Sequence, residues 1–302
     1  MTVSSLDIAK TLFNELKDHI NDLGFCGTGR QQPRRVTVAV TNSLDNCDPD
    51  AQLLLVDECH TALAPSVIKR INRFRRAKLF GFTASPEGRS DGGDGFMEAI
   101  FGSQLCDVTY QESVQSGNIV QLRVKMYKSP NGPNLKGIDD KNYVDRAGII
   151  RNAPRNDLVA RATRELEKEL GDDAQILVMV DKIEHAYILS SLLPEYTVVT
   201  GVLPQDRKEE LERMKVLTPG QKLCSAKDRD AYRRAFESNQ LKRVIATRIW
   251  EKGVDFRDLL GLVRADGLAS SIAACQIPGR LSRLGKTVEK QLGVLVDFYD
   301  MF

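Results

Sequence analysis

The sequence has little of what marks secreted, metal-stapled or membrane-spanning proteins. Its 302 residues include six cysteines, at positions 26, 47, 59, 106, 224 and 275, without a C-x-x-C pair, and only three histidines. A structural zinc site or a disulfide framework is therefore not expected, and a reducing cytoplasm is the favoured compartment. The N-terminus lacks the features of a signal peptide, and no apolar run reaches the length of about 18 residues that suggests a membrane span.

Neither sign of charge is in large excess. The chain carries 43 basic and 41 acidic residues, a net charge of +2, so attraction to a polyanion would have to come from a local surface. The densest basic stretch comprises Lys69, Arg70, Arg73, Arg75, Arg76 and Lys78. We favour a solvated helix face for it over a track for DNA phosphates. The hydrophobic content of 42% is ordinary for a globular protein and too high for a disordered one.

Short apolar runs alternate with stretches of helical spacing along the whole chain. Strands are predicted at residues 36–40, 53–56, 79–82, 176–180, 197–199, 244–246 and 292–296, and helices at 5–20, 65–76, 156–170, 185–193 and 231–236. The glycines at 24, 27 and 29 are interpreted as a turn, and residues 129–137 as a loop. This alternation predicts an α/β protein with two doubly wound parallel-sheet lobes, 1–125 and 126–302.

One predicted strand, 53–56, ends on two adjacent carboxylates, Asp57 and Glu58, followed by Cys59 and His60. Ligands collect at the carboxyl ends of parallel strands. Paired acids there suit phosphoryl transfer, with Asp57 holding Mg²⁺ through water and Glu58 orienting or deprotonating the attacking water. An N-cap at a strand-to-helix turn is an equally good interpretation of these few residues alone.

Four further motifs follow in a fixed order. They are VTVAVTNSL at 36–44, TASP at 83–86, VIAT leading into WEKGVD at 244–255, and QIPGRLSR at 276–283. With the acidic pair, they resemble the motifs of superfamily 2 helicases of the DExH type, and most closely those of UvsW-like phage DNA helicases. The resemblance covers nearly the whole chain, including DFYD at 297–300, and implies two RecA-like lobes with an ATP- and Mg²⁺-dependent motor.

The resemblance also implies roles for individual residues. Catalysis would fall to Asp57, Glu58, Gln276, Arg280 and Arg283, nucleotide binding to Gly253, Asp255 and Gly279, nucleic-acid contact to Thr41, Ser43 and Thr247, and coupling between lobes to His60, Thr83 and Ser85. The two arginines would share one face if their stretch is helical, although a solvated basic helix end is the commoner fate of such a pair. The implied partner is single-stranded or branched DNA in phage recombination or repair in the host cytoplasm, with RNA as an alternative.

The chain lacks one motif of that family, the phosphate-binding loop G-x-x-x-x-G-K-[ST]. Gly285-Lys286-Thr287 is no substitute, because Arg280 stands where the first glycine should be, and the FCGTGR segment at 25–30 lacks the lysine. The opening residues 2–6 resemble the motif after that loop, so we expect the first lobe to be incomplete at its N-terminus, with an exposed sheet edge. Three interpretations stay open: a second polypeptide that supplies the loop, a truncated reading frame, or a catalytically inactive nucleic-acid-binding or assembly subunit.

Overall fold

A computed structural model describes residues 1–84, 94–130, 132–221, 223–250, 256–267 and 279–300. The chain forms two compact units, Met1–Asp107 and Val108–Phe302, each built on its own six-stranded sheet. The prediction of two α/β units with parallel sheets is confirmed. None of the helices within these ranges is both long and apolar enough to cross a membrane.

The first unit has the strand order β3-β2-β4-β1-β5-β6, and all neighbours are parallel except the β2–β3 hairpin. Its elements are β1 (Thr2–Val3), α1 (Leu6–Leu16), β2 (Leu23–Gly27), β3 (Arg30–Gln32), β4 (Val36–Val40), a 3₁₀ turn (Thr41–Asn46), β5 (Leu53–Asp57), a 3₁₀ turn (Cys59–Thr61), α2 (Pro65–Ile71), β6 (Lys78–Phe82) and α3 (Asp94–Phe101). Helix α1 packs on one face of β1, β2 and β4, whereas α2 and α3 pack on the opposite face, over β5 and β6. This arrangement brings the carboxyl ends of β4, β1, β5 and β6 to one edge of the sheet.

The predicted glycine turn is corrected by the structure, because residues 23–27 form strand β2, which runs parallel to β4. The glycines are required by the close packing of the hairpin. A Cβ atom on Gly24 would lie 2.5 Å from the backbone nitrogen of Arg34, and Gly29 has a φ of +79° at the turn itself. Only glycine adopts such a backbone without strain.

The second unit is a wholly parallel sheet with the strand order β7-β12-β11-β8-β10-β9. Its elements are α4 (Tyr110–Gln115), β7 (Gln121–Lys128), α5 (Lys141–Asp145), a π-helical turn (Arg146–Ile150), α6 (Ala153–Leu170), β8 (Gln175–Val180), α7 (Ile183–Leu192), β9 (Thr197–Val199), α8 (Gln205–Arg213), α9 (Ala226–Glu237), β10 (Arg243–Thr247), a 3₁₀ turn (Arg248–Trp250), β11 (Leu259–Arg264) and β12 (Leu292–Tyr299). Strand β8 is buried along its whole length, as expected for a central strand covered on both faces.

The boundary between the units differs from the predicted limit between residues 125 and 126. That limit would cut strand β7, which pairs with β12 from Gln121 to Lys128. Ladder hydrogen bonds hold the whole strand in the second sheet, so residues 108–125 belong with the second unit.

The core of the second unit contains a buried ion pair that joins helix α6 to the end of the sheet. Arg155 is fully buried and donates from Nε and Nη2 to the two carboxylate oxygens of Asp300, at 2.7 and 2.9 Å. Its Nη1 donates to the carbonyl of Ala265 at 3.0 Å, and the guanidinium lies 5.5 Å from the ring centre of Phe298. Such bidentate geometry is the condition under which a buried charge is tolerated.

His185 lies in the same core and is held in its neutral form. Its Nε2 is 2.9 Å from Oδ1 of Asn156, whose Nδ2 donates to the carbonyl of Ile150 at 2.8 Å, so Nε2 carries the proton. Burial, with a smaller contribution from the charge of Arg155, lowers the pKa of His185 to about 3. Because the folded-state pKa lies below the unfolded one, stability is lost as the pH falls below about 6.5.

We therefore expect acid to destabilise the second unit through His185. Between pH 7 and pH 5 this residue should remove about 2 kcal/mol from the free energy of unfolding. His185→Gln keeps a side-chain donor near Asn156 but does not titrate, so its loss over this pH range should be smaller by that amount. Urea unfolding of both proteins at the two pH values measures the difference, and equal losses would contradict the assignment.

Candidate nucleotide site

Four predicted site residues meet at the carboxyl ends of β5 and β6. Asp57 is the last residue of β5, Glu58 follows it, His60 lies in the next 3₁₀ turn, and Thr83 follows β6. Nδ1 of His60 lies 2.8 Å from Oγ1 of Thr83 and 3.3 Å from Oε2 of Glu58. The buried imidazole thus connects the acidic pair to the neighbouring strand end, whereas Ser85 lies outside the described residues.

Glu58 has a left-handed backbone conformation, with φ of 49° and ψ of 48°. This region is unfavourable for a residue with a Cβ atom and persists only where the surroundings impose it. Here the Glu58 N–H donates to Oδ1 of Asp57 at 3.0 Å, and the Glu58 carbonyl accepts from the N–H and the hydroxyl of Thr61, both at 2.8 Å. Strain held in this way at a strand end is typical of functional sites.

The carboxylate of Glu58 is poised to accept a proton. Its Oε2 is buried and accepts no hydrogen bond from the residues that the structure describes. Burial raises the pKa of Glu58 above its ordinary value, the charge of His60 opposes this shift, and the charge of Asp57 adds to it. A carboxylate with a raised pKa, whose buried oxygen contacts only an imidazole at 3.3 Å among the described residues, is suited to act as a general base.

The helix-capping interpretation of Asp57 is not supported by the local geometry. The 3₁₀ turn that follows has no side-chain cap, and helix α2 begins after Ala64, where no side chain caps the helix either. Within the part of the chain that the structure describes, Asp57 accepts a hydrogen bond from the adjacent amide of Glu58, which positions Glu58 and does not satisfy a helix terminus.

The predicted nucleic-acid contacts of the first unit follow β4 at the same edge of the sheet. The Thr41 hydroxyl donates to the carbonyl of Val3 at 2.9 Å and lies 3.2 Å from the hydroxyl of Thr2. The Thr41 hydroxyl therefore links the end of β4 to β1. To donate to a phosphate, it would have to give up its hydrogen bond to the Val3 carbonyl. Ser43 lies half-buried in the 3₁₀ turn, so its contact with phosphate stays a prediction.

In the second unit, Thr247 ends β10 and is buried, while Gly253, Asp255 and Gln276 lie outside the described residues. The structure adds an ion pair at the same edge of this sheet. Nε of Arg248, just after β10, lies 3.0 Å from a carboxylate oxygen of Asp181, just after β8. Asp181 follows a buried apolar strand as Asp57 does, and that pattern could have identified it from the sequence.

Arg280 and Arg283 do not share a helical face, because the helical stretch on which that prediction depended does not extend to Arg283. The helical turn ends at Leu281, which is fully buried, and Arg283 lies beyond it in a bridge with Ile119. The amide of Val120 donates to the carbonyl of Ser282 at 2.7 Å and draws the chain into an extended path. Arg280 Nη1 donates to the carbonyl of Trp250 at 3.2 Å, and Arg283 has an exposed side chain.

Gly279 occupies an open position. Apart from its chain neighbours and its own helical backbone, no described residue has an atom within 4 Å of the place that a Cβ would take, so the described residues do not require glycine there. Gly279 therefore stays a predicted nucleotide contact. A glycine at this position would leave space for a ligand.

The Gly285-Lys286-Thr287 segment binds a carboxylate of this chain. Asp258 accepts hydrogen bonds from the amides of Lys286, Thr287 and Val288 at 2.7, 2.8 and 3.3 Å, and from the Thr287 hydroxyl at 2.6 Å. These amides form the kind of concave donor group that binds anions, but an internal acid already occupies it. The segment therefore stabilises a turn, and its exclusion as a phosphate loop stays a prediction.

The basic stretch at 69–78 is partly neutralised within the first unit. Arg70 and Arg73 lie 2.9 and 2.7 Å from the carboxylate oxygens of Asp45, and Arg76 lies 3.6 Å from Asp50. Exposed pairs of this kind contribute little to stability. Their geometry favours the solvated-face interpretation over a phosphate track.

No protein-family model and no curated protein sequence matches this chain. Solved structures do match. Dbp5 of S. cerevisiae bound to RNA and ADP BeF3 has a TM-score of 0.59 at 15% identity, over 100% of this chain and 71% of that one. The helicase domain of Hef from Pyrococcus furiosus has a TM-score of 0.58 at 12% identity, over 99% and 86%. The DUF1998 helicase MrfA bound to DNA has a TM-score of 0.58 at 15% identity, over 100% and 40%.

At these identities the likeness concerns the fold. The two parallel-sheet units have the architecture of RecA-like helicase lobes, which confirms the predicted fold class. Because fold alone does not determine function, the activity has to be argued from the site.

Proposed function

We propose that this chain is the two-lobed motor of a nucleic-acid helicase or translocase, with ATP hydrolysed at Asp57 and Glu58. The observation that carries the proposal is the strained, half-buried Glu58, which follows Asp57 at a parallel strand end and has a buried carboxylate oxygen 3.3 Å from Nδ1 of His60. Support comes from the helicase fold of the structural neighbours, one of which is bound to RNA and ADP BeF3 and another to DNA.

In this proposal Glu58 is the general base of hydrolysis. A water molecule gives its proton to the Glu58 carboxylate while its oxygen bonds to the terminal phosphorus of ATP, and the bond from that phosphorus to the ADP oxygen breaks. The raised pKa of Glu58 brings its basicity closer to that needed near neutral pH. Asp57 offers hard carboxylate oxygens suited to Mg²⁺, which would neutralise charge on the phosphates when bound.

His60 and Thr83 are proposed as the link between hydrolysis and movement. Their 2.8 Å contact joins the ends of β5 and β6, and His60 also faces the carboxylate of Glu58. A change in the charge of Glu58 would alter the hydrogen bond between His60 and Thr83. Ser85 would take the coupling role that the resemblance implies. Coupled conformational change requires an element with two arrangements that the site can bias, and the contact between His60 and Thr83 is proposed for that role.

The remaining predicted residues take the roles that the resemblance implies. Arg280 and Arg283, with Gln276, would stabilise charge on the transferred phosphate, and Gly253, Asp255 and Gly279 would contact the nucleotide. Thr41, Ser43 and Thr247 would contact the backbone of the nucleic acid. DNA is favoured over RNA by the resemblance to UvsW-like helicases, and a second polypeptide is proposed to supply the phosphate-binding loop that the 302 residues lack.

A second candidate function is nucleic-acid binding or assembly without catalysis. It is favoured by the absence of the loop from the sequence and by Asp258, which occupies the amides of the one segment with a similar tripeptide. Nucleotide turnover therefore distinguishes the two candidate functions.

ATP hydrolysis by the purified chain, measured without nucleic acid and with single-stranded DNA, branched DNA or single-stranded RNA, tests the proposal. Stimulation of about tenfold or more by one of them would support the motor and identify its track. Tight nucleic-acid binding without Mg²⁺-dependent ATP binding or turnover would favour the second candidate. A folded chain that binds neither ATP nor nucleic acid would contradict both.

A further inference from the structure

Two free thiols are neighbours in the first unit, beside the turn that follows β4. Cys26 lies in β2 and is fully buried, and Cys47 directly follows the 3₁₀ turn at Thr41–Asn46 and is partly buried. The two thiol groups are in hydrogen-bond contact. The Cys26 Sγ also lies 3.9 Å from the carbonyl oxygen of Asn46, the residue before Cys47. The fold therefore brings together two sulfur atoms that are far apart in the chain.

The thiol hydrogens contribute little to the packing of this pair. Cys26 donates to the carbonyl of Asn46 at 3.9 Å, and Cys47 donates to the carbonyl of Ser43 at 4.0 Å. Thiols are weak donors, so the loss of both hydrogens would cost little. Sulfur atoms that are already in contact have only to approach to about 2 Å to form a disulfide bond. The pair is therefore arranged so that a covalent link can replace two weak hydrogen bonds.

A link between these residues would fix the turn at Thr41–Asn46 to the sheet. Strand β2 is a firm anchor, because it pairs with β4 on one side and β3 on the other. The amide of Cys47 donates to the carbonyl of Leu44 at 3.1 Å, which joins Cys47 to the turn. The turn contains Thr41 and Ser43, the predicted nucleic-acid contacts of this unit.

We infer that Cys26 and Cys47 are a redox-sensitive dithiol, which low-molecular-weight disulfides convert into an intramolecular disulfide that restrains the turn. The Cys47 thiolate, at the accessible end of the pair, attacks one sulfur of the oxidant, releases one thiol and forms a mixed disulfide. Cys26 then attacks the Cys47 sulfur and releases the second thiol. The two cysteines lose two hydrogens and two electrons, which the oxidant gains as it becomes two thiols.

The surroundings of Cys47 make this reaction slow near neutral pH. Burial and then the neighbouring Cys26 raise the pKa of Cys47 to about 12, while the α-amino group of Met1 and the guanidinium of Arg73 oppose the shift. Because the thiolate is the attacking species, the rate of oxidation should rise steadily from pH 7 to pH 9. In a reducing compartment the pair would remain as thiols until the concentration of oxidised disulfides increases.

The effect of the bond on nucleic-acid contact rests on the proposed function, whereas formation of the bond does not. Thr41 donates to the carbonyl of Val3 and has to give up this hydrogen bond to reach a phosphate. A turn that is linked covalently to β2 opposes such a movement. We therefore expect the disulfide form to bind nucleic acid more weakly than the dithiol form.

The test treats the full chain with oxidised glutathione at pH 8 and identifies linked peptides by mass spectrometry. We expect a Cys26–Cys47 peptide that lacks two hydrogens and that dithiothreitol separates again. In the disulfide form, amide exchange at residues 41–46 should be at least about tenfold slower. The Kd for single-stranded DNA should be at least about fivefold higher.

Matched variants show whether the pair itself is responsible. Cys47→Ser should form no such link and should show no response of exchange or DNA affinity to oxidised glutathione. Cys106→Ser, which changes an exposed cysteine of the same unit, should respond as the unaltered chain does. Circular dichroism verifies folding, and Cys47→Ala replaces Cys47→Ser if serine destabilises the unit.

Three results would overturn the inference. One is a lasting mixed disulfide without the internal link, which would mean that the two cysteines only fill space in the core. Another is an internal link that leaves amide exchange in the turn unchanged. A third is slower exchange with unchanged DNA affinity, which would remove the effect on nucleic acid. Absence of DNA binding by both forms, with the link and the slower exchange present, would count against the proposed function alone.

Discussion

Replacing Arg155 with alanine should lower the free energy of unfolding of the second unit by about 3 to 5 kcal/mol. The guanidinium is fully buried and makes two hydrogen bonds to Asp300 and one to the carbonyl of Ala265. Its removal leaves the carboxylate without its cation, orphans a buried carbonyl and opens a cavity beside Phe298. Urea unfolding followed by circular dichroism measures the loss.

The matched control is Arg161→Ala, which removes an exposed arginine from the same helix and should cost less than about 0.5 kcal/mol. A double variant, Arg155→Met with Asp300→Asn, removes both charges and should recover part of the loss, because the penalty of the single change comes mainly from the unpaired partner. Equal costs for Arg155→Ala and Arg161→Ala would show that the pair does not stabilise the unit.

Strands with continuous apolar runs were predictable from the sequence. The predicted bounds of β4 and β9 agree with the structure, and those of β5 and β6 differ by one residue. Where such a strand is central and covered on both faces, as β8 is, burial selects Val, Leu and Ile without regard to face. The alternation of these runs with helical spacing was sufficient to predict two α/β units.

Elements whose pattern depends on a distant contact were missed. Strand β7 alternates charged and apolar residues because it is an edge strand, with Arg123 and Lys125 paired to Glu169 of α6. Strand β11 contains Gly261, whose missing side chain admits Leu166 of α6: a Cβ would lie 2.8 Å from that residue. Helix α8 buries only Leu211 of its own residues, so it shows little apolar periodicity.

The candidate site was also predictable only in part from the sequence. The resemblance assigned Asp57 and Glu58 to catalysis and His60 and Thr83 to coupling, and the structure brings these four residues together at two strand ends. Sequence could not show that Glu58 has a left-handed backbone, held by the turn that Thr61 closes, or that one carboxylate oxygen is buried without a hydrogen bond among the described residues. These are the features that favour a base over a helix cap.

Glu58→Gln should lower nucleic-acid-stimulated ATP hydrolysis by about 100-fold or more, which is the range for loss of a general base. The amide keeps the shape of the side chain but cannot accept the proton of water, so ATP binding should remain. Because the pKa of Glu58 is raised, the rate of the unaltered protein should fall on acidification at a higher pH than an ordinary glutamate would give. Steady-state hydrolysis and equilibrium ATP binding, each measured across pH, separate these effects, with Glu98→Gln on the exposed surface of α3 as the control.

A second substitution of Glu58 should reveal how much the strained backbone lowers the free energy of unfolding of the first unit. Glu58→Gly removes a Cβ from a left-handed backbone, so it should raise the free energy of unfolding of the first unit by about 1 kcal/mol while it abolishes hydrolysis. Opposite changes in stability and activity are expected where a strained residue is retained for its chemistry. If Glu58→Gly destabilised the unit and Glu58→Gln left hydrolysis intact, Glu58 would be a structural residue of the turn, and the proposed catalytic site would have to lie elsewhere.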